Sequence, residues 1–142
     1  LNPSDPLLRL VYASRNLIPA EETEAAVATI LAASRRRNPT LGVTGALLFS
    51  ADCFAQALEG PAEAVGDLFE LIQIDPRHDR VVILESACVT RREFGDWSMA
   101  YAGRQDDPRL RFDAVRAAPR QAGGRVLDVL RGTVARSLPA LA

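Results

Sequence analysis

Histidine occurs once in these 142 residues, at His78. That excludes a His-rich metal site, and no metal is expected; it also argues against a triad built on imidazole. Cysteine occurs twice, and Cys53 and Cys88 lack metal-ligand spacing. Both fall in expected strands and read as small, reduced core residues of a cytoplasmic protein. Lysine is absent, so every basic side chain is arginine, the kind of bias a GC-rich genome imposes. No apolar run is long enough to span a bilayer and no secretory leader pattern is present, so no membrane partner is expected. The formal net charge is only -1, so no global field recruits nucleic acid or an anionic lipid surface.

What remains is an ordinary globular composition, 48% hydrophobic and 25% charged. The length suffices for one domain with a real core and a short appendage. Leu7 to Ser14 alternates as a strand, with Leu8, Leu10, Tyr12 and Ser14 on one face. Pro19 to Glu22 opens a helix with acidic residues where the helix dipole favours them. Ala26, Val27, Ile30, Leu31 and Ser34 follow at helical spacing, and Arg35 to Arg37 with Pro39 are expected to end it. Val43 to Ser50 and Cys53 to Leu58 read as a hairpin. Pro61 starts a second helix carrying Val65, Leu68, Phe69 and Ile72, and Asp75-Pro76 stops it. Arg80 to Val89 is a long strand, and Trp97 to Tyr101 a short last one.

This order, β-α-β-β-α-β-β, predicts an α+β sandwich of ferredoxin-like type, with a mixed five-stranded sheet and two helices on one face. Residues 1–103 would be that domain. Residues 104–142 would be a C-terminal helical tail, broken by Pro108, Pro119 and Gly123-Gly124, with a helix from Arg125 to Ser137. Val126, Val129, Leu130 and Val134 share one face of it. Such a stripe should cover the sheet's second face or a neighbouring copy, so a homo-oligomer is expected.

The stretch GALLFSADCFAQALEG, residues 45–60, carries an anomaly. In its second strand Phe54, Gln56 and Leu58 share a face. A carboxamide therefore points with a phenylalanine and a leucine toward the core. An unpaired buried amide or hydroxyl costs about 1–3 kcal/mol, so partners are required. Tyr12 on the first strand can meet part of the need, but Gln56 has a carbonyl and two N–H donors against one hydroxyl. The surplus calls for a third polar group. A flat heterocycle with carbonyls and ring nitrogens suits an otherwise apolar pocket.

Five separated pieces, namely Tyr12, NPTLGVTGALLF (38–49), FAQALEG (54–60), DPRH (75–78) and WSM (97–99), occur in the order and spacing of one family. The chain resembles the BLUF family of blue-light sensors that use flavin, in a short stand-alone form with a helical tail. The likeness runs from about Leu8 to Tyr101. It implies a flavin, FAD with FMN or riboflavin as alternatives, held without a covalent bond between the two helices. It implies that Tyr12 is the key tyrosine and that Gln56 bridges it to the flavin. Asn38 would bond the flavin's carbonyl and N–H edge. Ile30 and Ser34 would line the ring, and Arg77 would hold its polar end. Trp97 and Met99, expected on one face of the last strand, would compete for the place beside Gln56. Arg37 falls at a variable position and is assigned no role. The resemblance further implies a sensor rather than an enzyme. Tyr12 would pass an electron and then a proton toward the photoexcited flavin. Gln56 would rotate or change tautomer, absorption would shift slightly to the red, and the disturbance would reach the tail and a downstream effector protein.

Two other readings stand beside it. A ferredoxin-like acylphosphatase-type enzyme would use Arg15 and Asn16 on a phosphate, although SRNLIP lacks a glycine-rich anion cradle. A flavin-free protein-interaction module of the same shape is the other.

Overall fold

The computed structural model describes residues 6–136. Strand β1 (Leu7–Asn16) is followed by a 3-10 turn at Ala20–Glu22 and helix α1 (Thr23–Leu41). Then come β2 (Thr44–Phe49), β3 (Cys53–Pro61), α2 (Ala62–Gln73), β4 (His78–Val89) and β5 (Ala100–Arg104). A 3-10 turn at Pro108–Leu110 leads to α3 (Phe112–Ala117) and α4 (Pro119–Arg136). The five strands form one sheet in the order β4-β1-β3-β2-β5. All neighbours are antiparallel except β2 and β5, which run parallel. The fold is thus α+β and ferredoxin-like, with a mixed sheet.

Both faces of the sheet are covered, which is why β3 is buried along nearly its whole length. Leu10, Tyr12, Leu47, Phe54 and Leu58 pack beneath α1 and α2 with Val27, Leu31, Val65, Leu68 and Phe69. The opposite face is paved with Val11, Ala13, Ala46, Leu48, Ala55 and Ala57. Phe112 and Val115 of α3 and Val126, Leu127 and Leu130 of α4 close over it. The tail stripe expected from the sequence therefore meets this chain's own sheet.

Several boundaries depart from expectation. Helix α1 does not stop at Pro39 but runs through it to Leu41. In the last turn, proline removes one N–H, the one that would reach the Arg35 carbonyl, and the backbone continues. Gly42, with a left-handed φ of 69°, ends the helix instead. Its N–H reaches the Pro39 carbonyl, and the Val43 N–H reaches that of Asn38. The last helix begins at Pro119 and passes through Gly123-Gly124, where breaks were expected. Proline suits a first helical turn, and Gly123 is a close approach. A Cβ there would lie 3.3 Å from both the Cβ and the carbonyl oxygen of Leu84. Ser137 lies outside the described residues.

Cys53 is buried, as expected, and its thiol is pushed up to about 12 by burial. Cys88 is exposed on the edge strand β4 rather than in the core. No helix among the described residues is long and apolar enough to cross a membrane.

Neither Trp97 nor Met99 is in the strand expected there, because β5 starts at Ala100. Residues 90–99 are an irregular strap between β4 and β5. Strand periodicity therefore does not apply, and the two side chains take opposite faces. Trp97 joins the layer beneath α4, whereas Met99 joins the layer beneath α1 and α2.

Candidate functional site

A cleft that opens to solvent lies between α1 and α2 over β1 and β3. Tyr12, Ile30, Ser34, Gln56 and Arg77 all line it. Asn38, Met99 and Trp97 do not line it: Asn38 and Met99 bond the lining residues Arg37 and Gln56, and Trp97 is on the other side of the sheet.

Tyr12 and Gln56 are direct partners in the β1/β3 ladder. The Tyr12 hydroxyl donates to Gln56 Oε1 at 2.5 Å, and Gln56 Nε2 donates to the Met99 sulfur at 3.3 Å. Both polar residues are nearly fully buried. Burial holds the Tyr12 phenol well above its ordinary value; the Asp75 carboxylate adds to this and the Arg37 guanidinium opposes it. Among the described residues, Gln56 Nε2 has no partner besides the sulfur, so its second N–H is left for the cleft.

Asn38 is fully buried at the C-terminal end of α1. Its Nδ2 donates to the Ser98 carbonyl at 2.8 Å, and its Oδ1 accepts from Arg37 Nε at 3.4 Å. Arg35 Nε donates to the Met99 carbonyl at 3.0 Å. The end of α1 thus grips the strap beside the cleft.

Arg37, Asp75 and His78, given no role from the sequence, also line the cleft. Arg37 is half-buried, and burial lowers its pKa while Tyr12 works the other way. Its terminal nitrogens bond nothing among the described residues, so a cation faces the cleft. Asp75 and Arg77 pair across the turn after α2 at 2.5 Å. That contact holds the Asp75 carboxyl below the usual range. His78 lines the cleft as a buried residue. Its Nε2 lies 2.6 Å from the Ile72 carbonyl, and a carbonyl only accepts, so Nε2 carries the proton. Nδ1 lies 2.6 Å from the Ser14 hydroxyl. The phosphate site considered at Arg15 and Asn16 has its guanidinium committed elsewhere, because Arg15 pairs with Asp79 at 2.7 and 2.6 Å.

This cleft belongs to a segment that a family model matches, residues 7–100, described as BLUF, sensors of blue-light using FAD. The chain belongs to the BLUF family. Its BLUF segment is 37% identical over 98 residues to photoactivated adenylate cyclase subunit beta of Euglena longa. The match covers 69% of this chain and 11% of that relative, so it spans about a tenth of the larger protein. The structure of BlrB, a BLUF protein, in its dark state superposes with a TM-score of 0.73 and 35% identity, covering 94% of this chain and 98% of that one. Klebsiella pneumoniae BlrP1 with FMN and cyclic diGMP gives a TM-score of 0.61 and 30% identity, covering 92% of this chain and 36% of that one.

The residues present fit the flavin that BLUF domains bind. A flavin ring has an apolar end and a polar edge. The cleft supplies Ile30, Leu47, Phe54 and Ile72 for the first. The Arg37 guanidinium, the spare Gln56 N–H and the Ser34 hydroxyl suit the second.

Proposed function

We propose that this chain is a blue-light photoreceptor in which Gln56 is the switching group and the strap the first element to feel it. The observation that supports this reading most is the double engagement of the Gln56 amide. One end accepts from Tyr12 and the other donates to Met99. When bound, the flavin supplies absorption of blue light and one-electron chemistry. FAD is the proposed form, held by Ile30, Ser34, Asn38, Gln56 and Arg77, with Arg37 added.

The chain's own part follows from which atoms can donate. Tyr12 can accept as well as donate, so it tolerates either end of the amide. A thioether sulfur only accepts, and weakly. Turning the amide therefore keeps a bond to Tyr12 and removes the one to Met99. Exchange of one such bond is worth about 1 kcal/mol, so the output is a modest population shift. The strap carries it toward the helices after β5, which we assign as the output and assembly segment of residues 104–142. An effector protein would then read it, and the chain itself would catalyse nothing.

The test is an absorption spectrum of the purified protein before and after blue light. A yellow protein whose flavin band moves reversibly to the red fits the proposal. A colourless protein, or a yellow one with no reversible shift, refutes it.

A further inference from the structure

A second polar residue sits on an apolar face of β3. Ala55, Ala57 and Glu59 alternate toward α4, and Glu59 is fully buried there. A buried carboxylate must find donors, and this one finds the strap. The Glu93 N–H donates to both its oxygens at 3.0 Å, and the Phe94 N–H donates to Oε1 at 2.9 Å. Arg9 Nη1 is 3.8 Å away. Next to this clamp, Arg92 hooks the strap to the Gly42 carbonyl at 2.7 Å and the Glu59 carbonyl at 3.1 Å.

From Phe94 the strap turns back, with the Trp97 N–H on the Phe94 carbonyl at 3.0 Å. The Trp97 carbonyl then accepts the Gly45 N–H at 3.1 Å. Trp97 is thereby seated beneath α4, and Met99, two residues on, emerges on the other face at Gln56.

We propose that Glu59 is a positioning residue that decides which strap side chain meets Gln56: by clamping the Glu93 and Phe94 amides it keeps Trp97 beneath α4 and delivers Met99 to the cleft. Charge-assisted bonds to backbone N–H groups are about twice as strong as neutral ones. Replacing the carboxylate by a carboxamide also sets an NH2 against a donor. Trp97 then leaves its seat for part of the time, and Met99 is presented to Gln56 less often. This rests on the reading of Gln56 as the switch, but its main readout does not.

Trp97 is the single tryptophan of the chain, so its fluorescence reports the strap directly. In the full chain, Glu59→Gln should raise iodide quenching of Trp97 in the dark several-fold. It should also slow recovery of the dark spectrum after a blue flash by roughly fivefold. Glu59→Ala should do both more strongly; if it does not fold, Glu59→Gln decides. Unchanged Trp97 quenching in folded Glu59→Gln overturns the proposal, even if its melting temperature falls, because a merely structural role predicts that result. A wild-type protein without a photocycle overturns the switch reading instead, and the quenching comparison still judges Glu59.

Discussion

Tyr12 and Gln56 face each other across one rung of the antiparallel β1/β3 pair, joined by a 2.5 Å hydrogen bond from the phenol to the amide oxygen. That oxygen is the phenol's acceptor, and the phenol is buried.

Gln56→Leu should keep the flavin and lose the red shift, since leucine can neither accept from Tyr12 nor donate to Met99. The orphaned phenol should cost about 1–3 kcal/mol of stability. Difference spectroscopy with a urea titration checks both. A normal photocycle in this variant would remove Gln56 from its assigned role.

Tyr12→Phe should bind flavin and show no photocycle. It should also change the response to alkali. Burial holds the native phenol neutral, while the unfolded chain ionises its tyrosine near pH 10. Above that pH the unfolded state binds fewer protons. The stability is therefore whole below about pH 10 and falls as pH rises, by about 1.4 kcal/mol per unit from this group. Urea midpoints at pH 8 and 11 should fall less in Tyr12→Phe than in wild type. The buried Cys53 thiol, pushed up to about 12, supplies a residual fall of the same sign in both.

Asn38→Ala should weaken flavin binding or alter the flavin spectrum. It also frees the Ser98 carbonyl, which now accepts at 2.8 Å. Flavin titration by fluorescence reads the affinity, and a wild-type affinity and spectrum would count against the assignment.

Gly45→Ala should destabilise the protein by about 2 kcal/mol or more. The new Cβ would lie 2.3 Å from the Ala57 carbonyl oxygen, a backbone atom in the paired strand, and 3.4 Å from Met99 Cε. The sheet cannot open there without disturbing the strap. Thermal unfolding tests the cost, and wild-type stability would show that β2 shifts freely.

Legibility in the sequence followed regularity. The alternation of Leu8, Leu10 and Tyr12, and of Phe54, Gln56 and Leu58, marked the strands, the face and the buried amide, because a strand's period of two leaves little choice. Where the backbone is irregular, the rule had nothing to act on. Trp97 and Met99, two apart in a strap, part company across the sheet. Proline and glycine misled at Pro39, Pro119 and Gly123, where position in the helix or close packing outweighs propensity. Glu59 passed unnoticed because its donors are backbone N–H groups far along the chain, with no spacing to read. The single histidine was read only for what it excludes, and its contact with Ser14 is made across the sheet. Arg37, given no role because it falls at a variable position, is the one of three consecutive arginines that the helix's turn puts in the cleft.

The alanines beneath α4 have a mechanical meaning. Ala13, Ala46, Ala55, Ala57 and Ala100 touch that layer with bare methyl groups. A methyl has no rotamers to hop between, so at these five positions the sheet itself adds no side-chain freedom to the contact. The adjustable bulk of that layer lies elsewhere, much of it in the valines and leucines of α4. Shape there is set by the helix, and the sheet offers it a close-fitting floor.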